Sequence, residues 1–212
     1  MAGRKNGTLA DEGNAPSARQ KLLAAGIDLF TTRGYSATSV REIVERAGLT
    51  KPALYYHFGS KDGIYLAILQ EIERTFAATL ADVDTLHGTL REKVERLFLM
   101  LFDLFEQNLS AVRFLTAVFW GPPGGAPRYD LETTHRRLVL FVQQLVADSV
   151  PDGALTPAAA HDSALALIGI FSLTVDLEMA HPEWGVGREG LIRLLGLLFA
   201  GLDQTSFKEN IS

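Results

Sequence analysis

The chain has 212 residues, a formal net charge of −5 and a hydrophobic fraction of 47%, enough to bury a sizeable core. It has no cysteine, which excludes disulfides and cysteine-based metal sites and suits a cytosolic protein. The charge is uneven: residues 1–62 carry +3 and the remainder −8, so one end alone suits a polyanion.

Residues 1–16 are small and polar, without a signal-peptide core, and are expected to form a disordered arm in which Arg4 and Lys5 follow DNA or merely solubilise. A first helix is predicted from Ser17, where Gln20 completes a capping box, to Gly34, with Leu22, Leu23, Ile27, Leu29 and Phe30 on its buried side. The next stretch, Ser39 to Lys61, reads as two short helices around a tight break. Ser39 and Glu42 form a second capping box, and Val40, Ile43, Val44 and Ala47 supply an apolar stripe. Gly48 ends that helix, Thr50 is placed to cap the next, and Pro52 falls in its first turn. Two helices joined this closely fit a helix-turn-helix, and equally a helical hairpin within a bundle.

A fourth helix is predicted from Ser60 to Leu80, about 30 Å long, with Ile64, Ala67, Ile68, Ile72 and Phe76 along one face. After a break at 83–88, further helices are predicted at Thr89–Asn108, Ser110–Trp120, Arg128–Ser149, Thr156–Ala180 and Gly187–Leu202. The breaks between them hold Gly121–Pro127, then Val150, Pro151 and Gly153, then Pro182. The longest apolar run, Ala164 to Val175, is bounded by Asp162 and Asp176 and reads as too short to span a bilayer. No strand alternation and no internal repeat is present in the sequence. The expected fold is all-α with about nine helices.

The stretch from Ala18 to Leu69 closely resembles the DNA-binding region of TetR-family transcriptional regulators. The resemblance is carried by Phe30, Gly34 and Tyr35, by Thr38-Ser39-Val40 and Ala47-Gly48-Leu49-Thr50, and then by Leu54-Tyr55-Tyr56-His57-Phe58 and Ser60-Lys61-Asp62. It implies a helix-turn-helix domain at 17–62, then a ligand-binding and dimerisation body at 63–204 and a polar tail at 205–212. DNA contact is implied for Ser39, Arg41, Thr50, Lys51, Pro52, Tyr55, Tyr56, His57 and Lys61. Pro52 departs from the Gly or Ser common at its position and has no backbone N–H to donate. Lys51 suits a phosphate or guanine edge, and the tyrosines suit phosphates and thymine methyls.

In the body, Phe98, Phe102, Phe105, Phe114, Phe119, Trp120, Phe141 and Phe171 are core aromatics or the lining of an apolar pocket. The candidate ligand-binding set is Phe102, Phe105, Phe114, Trp120, His135, Phe171 and Asp176. Ala164, Ala166, Gly169, Leu191, Leu195 and Gly196 on the last two helices allow close approach, and the resemblance implies that these helices pair in a homodimer. The sequence has no Ser/His/Asp elbow, Gly-rich phosphate loop or His-Glu-x-x-His helix. The five histidines show no ligand spacing. No enzyme activity, cofactor, metal or membrane partner is therefore expected. The expected protein is a cytoplasmic, ligand-responsive regulator, most often a repressor in this family, released from a near-palindromic operator by a small apolar or amphipathic ligand. The alternative is a small-molecule-binding or scaffold protein of the same fold that does not bind DNA.

Overall fold

The computed structural model describes residues 16–84, 87–121, 125–149 and 155–204. The expected arm with Arg4 and Lys5, Pro122–Gly124, the segment with Val150, Pro151 and Gly153, and the polar tail lie outside the described residues. The described residues form nine α-helices and no strand: α1 Ala18–Arg33, α2 Val40–Ala47, α3 Lys51–Phe58, α4 Lys61–Asp84, α5 Leu90–Gln107, α6 Leu109–Trp120, α7 Leu131–Ala147, α8 Pro157–Ala180 and α9 Gly187–Gln204.

Local chemistry sets the helix starts. Ser17 accepts from Gln20 N and Ser39 from Glu42 N, and both predicted capping boxes are complete. A third, Thr89 with Glu92, opens α5. Ser60 caps α4 through Gly63 N at 2.9 Å. The predicted Thr50 cap does not form. Pro52 removes one of the two N–H groups such a cap would use, and Ala53 N donates to the Thr50 carbonyl at 3.1 Å instead. α7 starts three residues later than predicted, because Asp130 accepts from Thr133 N at 3.0 Å and sets the start there. A 3-10 turn at Pro182–Trp184, not expected from the sequence, joins α8 to α9. Glu178 of α8 then accepts from Gly187 N at 2.7 Å and fixes where α9 begins.

Two cores form. The head core gathers Leu22, Leu29 and Phe30 of α1, Ile43 and Val44 of α2, Leu54 of α3, and Ile64, Tyr65, Ile68 and Leu69 of α4. Gly26 lets α1 and α4 approach closely; a Cβ there would lie 3.1 Å from the Ile68 side chain. The body core holds Leu80 and Val83 of α4 together with six residues of α5 and the inner faces of α7, α8 and α9. α4 thus belongs to both cores, and the expected boundary after residue 62 does not coincide with a break in packing. Arg188 of α9 forms a two-bond ion pair with Asp103 of α5, at 2.9 and 3.3 Å.

α8 corrects one expectation. Taken as the whole Pro157–Ala180 helix it is long and apolar enough to cross a membrane, unlike the shorter run read from the sequence. Here it packs on α7 and α9 through Ala160, Ala164, Leu167, Ile168, Thr174 and Val175.

Candidate nucleic-acid interface

α1 and α2 present α3. Gly48 takes the left-handed conformation, φ 65° and ψ 35°, and Leu49 N donates to the Val44 carbonyl at 2.8 Å, so the chain turns sharply between α2 and α3. α3 buries only Leu54. Phe58 packs against the head core from the end of the helix, whereas Lys51, Pro52, Tyr55, Tyr56 and His57 are exposed. Tyr55 is 51% exposed and Tyr56 86%. His57 lies edge-on to Tyr56, with ring centroids 5.1 Å apart.

Eight of the nine sequence-predicted DNA-contact residues are exposed: Ser39, Arg41, Thr50, Lys51, Pro52, Tyr55, Tyr56 and His57. Lys61 is the exception. Its Nζ donates to the Tyr35 and Thr38 carbonyls at 3.0 Å each and sits 4.0 Å from the centre of the Tyr35 ring. The Tyr35 hydroxyl in turn donates to Asp62, and burial together with that carboxylate raises its pKa. Lys61 therefore fastens the start of α4 to the turn before α2, a role that helix-start spacing alone does not reveal.

The head's cations are mostly spoken for. Arg19 pairs with Glu71 at 3.3 Å, Arg33 with Glu42 at 2.6 Å, Arg41 with Glu45 at 2.7 Å and Arg46 with Asp28 at 2.5 Å. The Glu45 hydrogen bond raises the Arg41 pKa further. Among the described residues of the head, only Lys21 and Lys51 are cations with neither a carboxylate nor a carbonyl partner. Lys51 stands in the first turn of α3, beside the two tyrosines. An unpaired ammonium, phenol hydroxyls and aromatic faces on one rigid helix are the groups that meet phosphates and base edges.

The candidate ligand residues do not converge. Phe102 and Phe105 are buried in the body core, and Phe171 stacks on Phe98 at 5.2 Å. Phe114 belongs to the head core instead. α6 packs on α1, which brings the Phe114 ring 5.4 Å from Tyr65 and 6.3 Å from Phe30. Trp120 is 79% exposed at the end of α6, and His135 is exposed on α7. Asp176 is exposed on the outer face of α8, aligned at helical spacing with the exposed Leu165, Gly169 and Leu173. The small-residue reading of α8 and α9 also changes: Ala164, Leu191 and Leu195 are spent inside the body, and the outward apolar residues are Leu165, Leu173, Leu194 and Leu197.

Two further residues escaped sequence reasoning. Gly63 has no room for a side chain, since a Cβ would fall 1.8 Å from the Phe58 carbonyl oxygen. Tyr129, ahead of α7, donates its hydroxyl to Glu73 of α4, and burial with that carboxylate pushes its pKa up to about 12. Tyr129, Ala126 and Leu131 pack on the head core, so the α6–α7 connection reaches back to the head.

A three-helix head with an exposed, partly cationic α3 after a glycine turn defines a helix-turn-helix fold. Residues 22–68 match the family of bacterial regulatory proteins called the tetR family. Over those residues the chain is similar to the helix-turn-helix regulators of that family. It is 33% identical over 97 residues to the transcriptional activator FasR of Mycolicibacterium smegmatis, a match covering 46% of this chain and 44% of FasR. It is 26% identical over 167 residues to the regulator UidR of Escherichia coli, covering 77% of this chain and 83% of UidR. The chain thus spans less than half of FasR and most of UidR. The fold matches that of AibR, solved in complex with isovaleryl coenzyme A and operator DNA, with a TM-score of 0.64 at 18% identity over 86% of this chain and 98% of AibR.

Proposed function

We propose that this protein is a cytoplasmic homodimeric repressor that reads a near-palindromic operator through α3 and is released when a small apolar or amphipathic ligand enters its body. The observation that carries this reading is the exposure of Lys51, Tyr55 and Tyr56 on a helix with a single buried residue. Lys51 meets a phosphate or a guanine edge. Tyr55 and Tyr56 donate to phosphates while their rings approach thymine methyls. His57 and Thr50 add polar contacts, Pro52 an apolar one, and Ser39 and Arg41 approach the backbone from α2. Lys61 acts by positioning the turn before α2, with one ammonium hydrogen left over for a phosphate.

The body supplies dimerisation and control. Leu165 and Leu173 of α8 and Leu194 and Leu197 of α9 are exposed apolar residues that a second copy would cover, with Ala166 and Gly169 permitting close approach. Two-fold symmetry then sets two recognition helices on successive major grooves. Of the candidate ligand residues, Phe102, Phe105 and Phe171 share the body core, and an apolar ligand would have to displace part of that packing to enter among them. AibR takes an acyl coenzyme A, a chemically related amphipath. Because α4 packs into both cores, a ligand that shifts its body half also reorients its head half, and the population moves to a state whose recognition helices no longer match the groove spacing.

The test is duplex binding by Lys51→Ala and Tyr55→Phe. Lys51→Ala should weaken binding by about 1–3 kcal/mol and flatten the salt dependence. Tyr55→Phe should cost about 0.5–1.5 kcal/mol, the value of a typical hydrogen bond. Unchanged affinity in both rejects this reading surface.

A further inference from the structure

We infer that Glu45 limits DNA affinity by holding Arg41 away from the phosphate backbone, an inference that rests on the reading surface proposed above. Of the four arginine–carboxylate pairs in the head, three tie different helices together: Arg19 of α1 to Glu71 of α4, Arg33 of α1 to Glu42 of α2, and Arg46 of α2 to Asp28 of α1. Those pairs fasten the head. The fourth, Arg41 with Glu45, joins two residues one turn apart on the same helix and holds no elements together. Both side chains are largely exposed, 74% and 58%, and an exposed pair at this spacing adds little to stability. Its effect falls on what else Arg41 could bind.

The placement points to DNA. Ile43 and Val44 turn α2's buried face to the head core, while Arg41 and Glu45 share the solvent face. That face leads, through Gly48, to Thr50 and Lys51. A phosphate and the Glu45 carboxylate compete for one guanidinium, whose planar fork suits either. If Arg41 turns to a phosphate, Glu45 is left one helical turn away, inside the screening length at physiological salt, and repels the backbone. If Arg41 stays on Glu45, its charge is lost to DNA. In both arrangements Glu45 subtracts from binding. Glu42 differs from Glu45 in that it also closes the Ser39 capping box and bridges to α1, so its charge maintains the head.

The experiment measures binding of the full-length protein to a labelled duplex of mixed sequence across a salt series. Glu45→Gln and Glu45→Ala should bind roughly three- to tenfold tighter at low salt, and the slope of log K against log salt should steepen by roughly 0.9, one extra phosphate neutralised. Among the described residues the Glu45 side chain bonds only to Arg41, and the Gly48 N–H bond to its carbonyl does not involve the side chain, so both variants keep the fold. In an Arg41→Ala background most of that gain should disappear. Glu132→Gln, which breaks the like-spaced pair with Arg136 on α7, should leave affinity unchanged. Equal or weaker binding by the Glu45 variants, with wild type binding normally, overturns the inference alone. So does a gain that persists undiminished without Arg41. Absence of binding by wild type at low salt overturns the reading surface and, with it, this inference.

Discussion

α3 and α5 show two uses of aromatic residues. α5 turns Phe98, Phe102 and Phe105 inward with Val94, Leu97 and Leu101, and those rings exclude water and pack. α3 carries two tyrosines on eight residues and buries neither. A large apolar side chain kept in water on a short, rigid helix gains nothing for the fold, so its use lies outside the molecule. The same contrast separates the two ends of α4. Its first half is locked by Lys61, Ser60 and Gly63 to the head, and its second half ends among the body's leucines and phenylalanines.

The contrast can be broken from either side. The largest effect should come from Phe98→Ala, which removes a fully buried ring stacked on Phe171; it should cost about 3–5 kcal/mol of unfolding free energy by denaturant titration. At temperatures where the variant stays folded, its heads should bind mixed-sequence DNA as before. Gly63→Ala should cost less, about 1–3 kcal/mol, because the chain must shift to clear the Phe58 carbonyl. Here the loss should fall on the head, seen as faster amide exchange in α3 and the start of α4 with α8 protected as in wild type.

How much of this was legible in the sequence follows the same division. The Ser17 and Ser39 boxes could be read because a cap is local, needing only residues three apart, and both formed. Thr50 misled because its neighbour Pro52 deletes the donor that makes a cap worthwhile. The head residues came with an ordered motif, and eight of nine emerged on the surface. The body residues were chosen for being aromatic or polar on apolar helices. Spacing tells which side of a helix is buried but not what it is buried against. So Phe114 went to the head core, Asp176 to the outer face of α8, and Trp120 and His135 to the surface. The positioning role of Lys61 was not legible because the two carbonyls it holds are 23 and 26 residues away.

The smallest expected effect concerns acid. Glu42 and Glu92 are held below their ordinary pKa of 4.5 by hydrogen bonds from Ser39 and Thr89, and Asp130 below 3.8 by Thr133. A depressed folded-state pKa contributes stability that is complete above the ordinary value and fades as pH falls through the folded one. Circular dichroism should therefore show constant stability from pH 7 to about 5 and a decline below roughly 4.5. Glu42→Gln should reduce that decline by only a small amount, since solvent screens its partly exposed carboxylate.

Footprinting of wild-type protein on genomic fragments at low salt tests the central claim most directly. The account predicts protection of two related half-sites, arranged as an inverted repeat with centres about one or more helical turns apart, and loss of that protection in Lys51→Ala at moderate salt. Failure to protect any fragment at low salt, by a protein that is folded and dimeric, would contradict it.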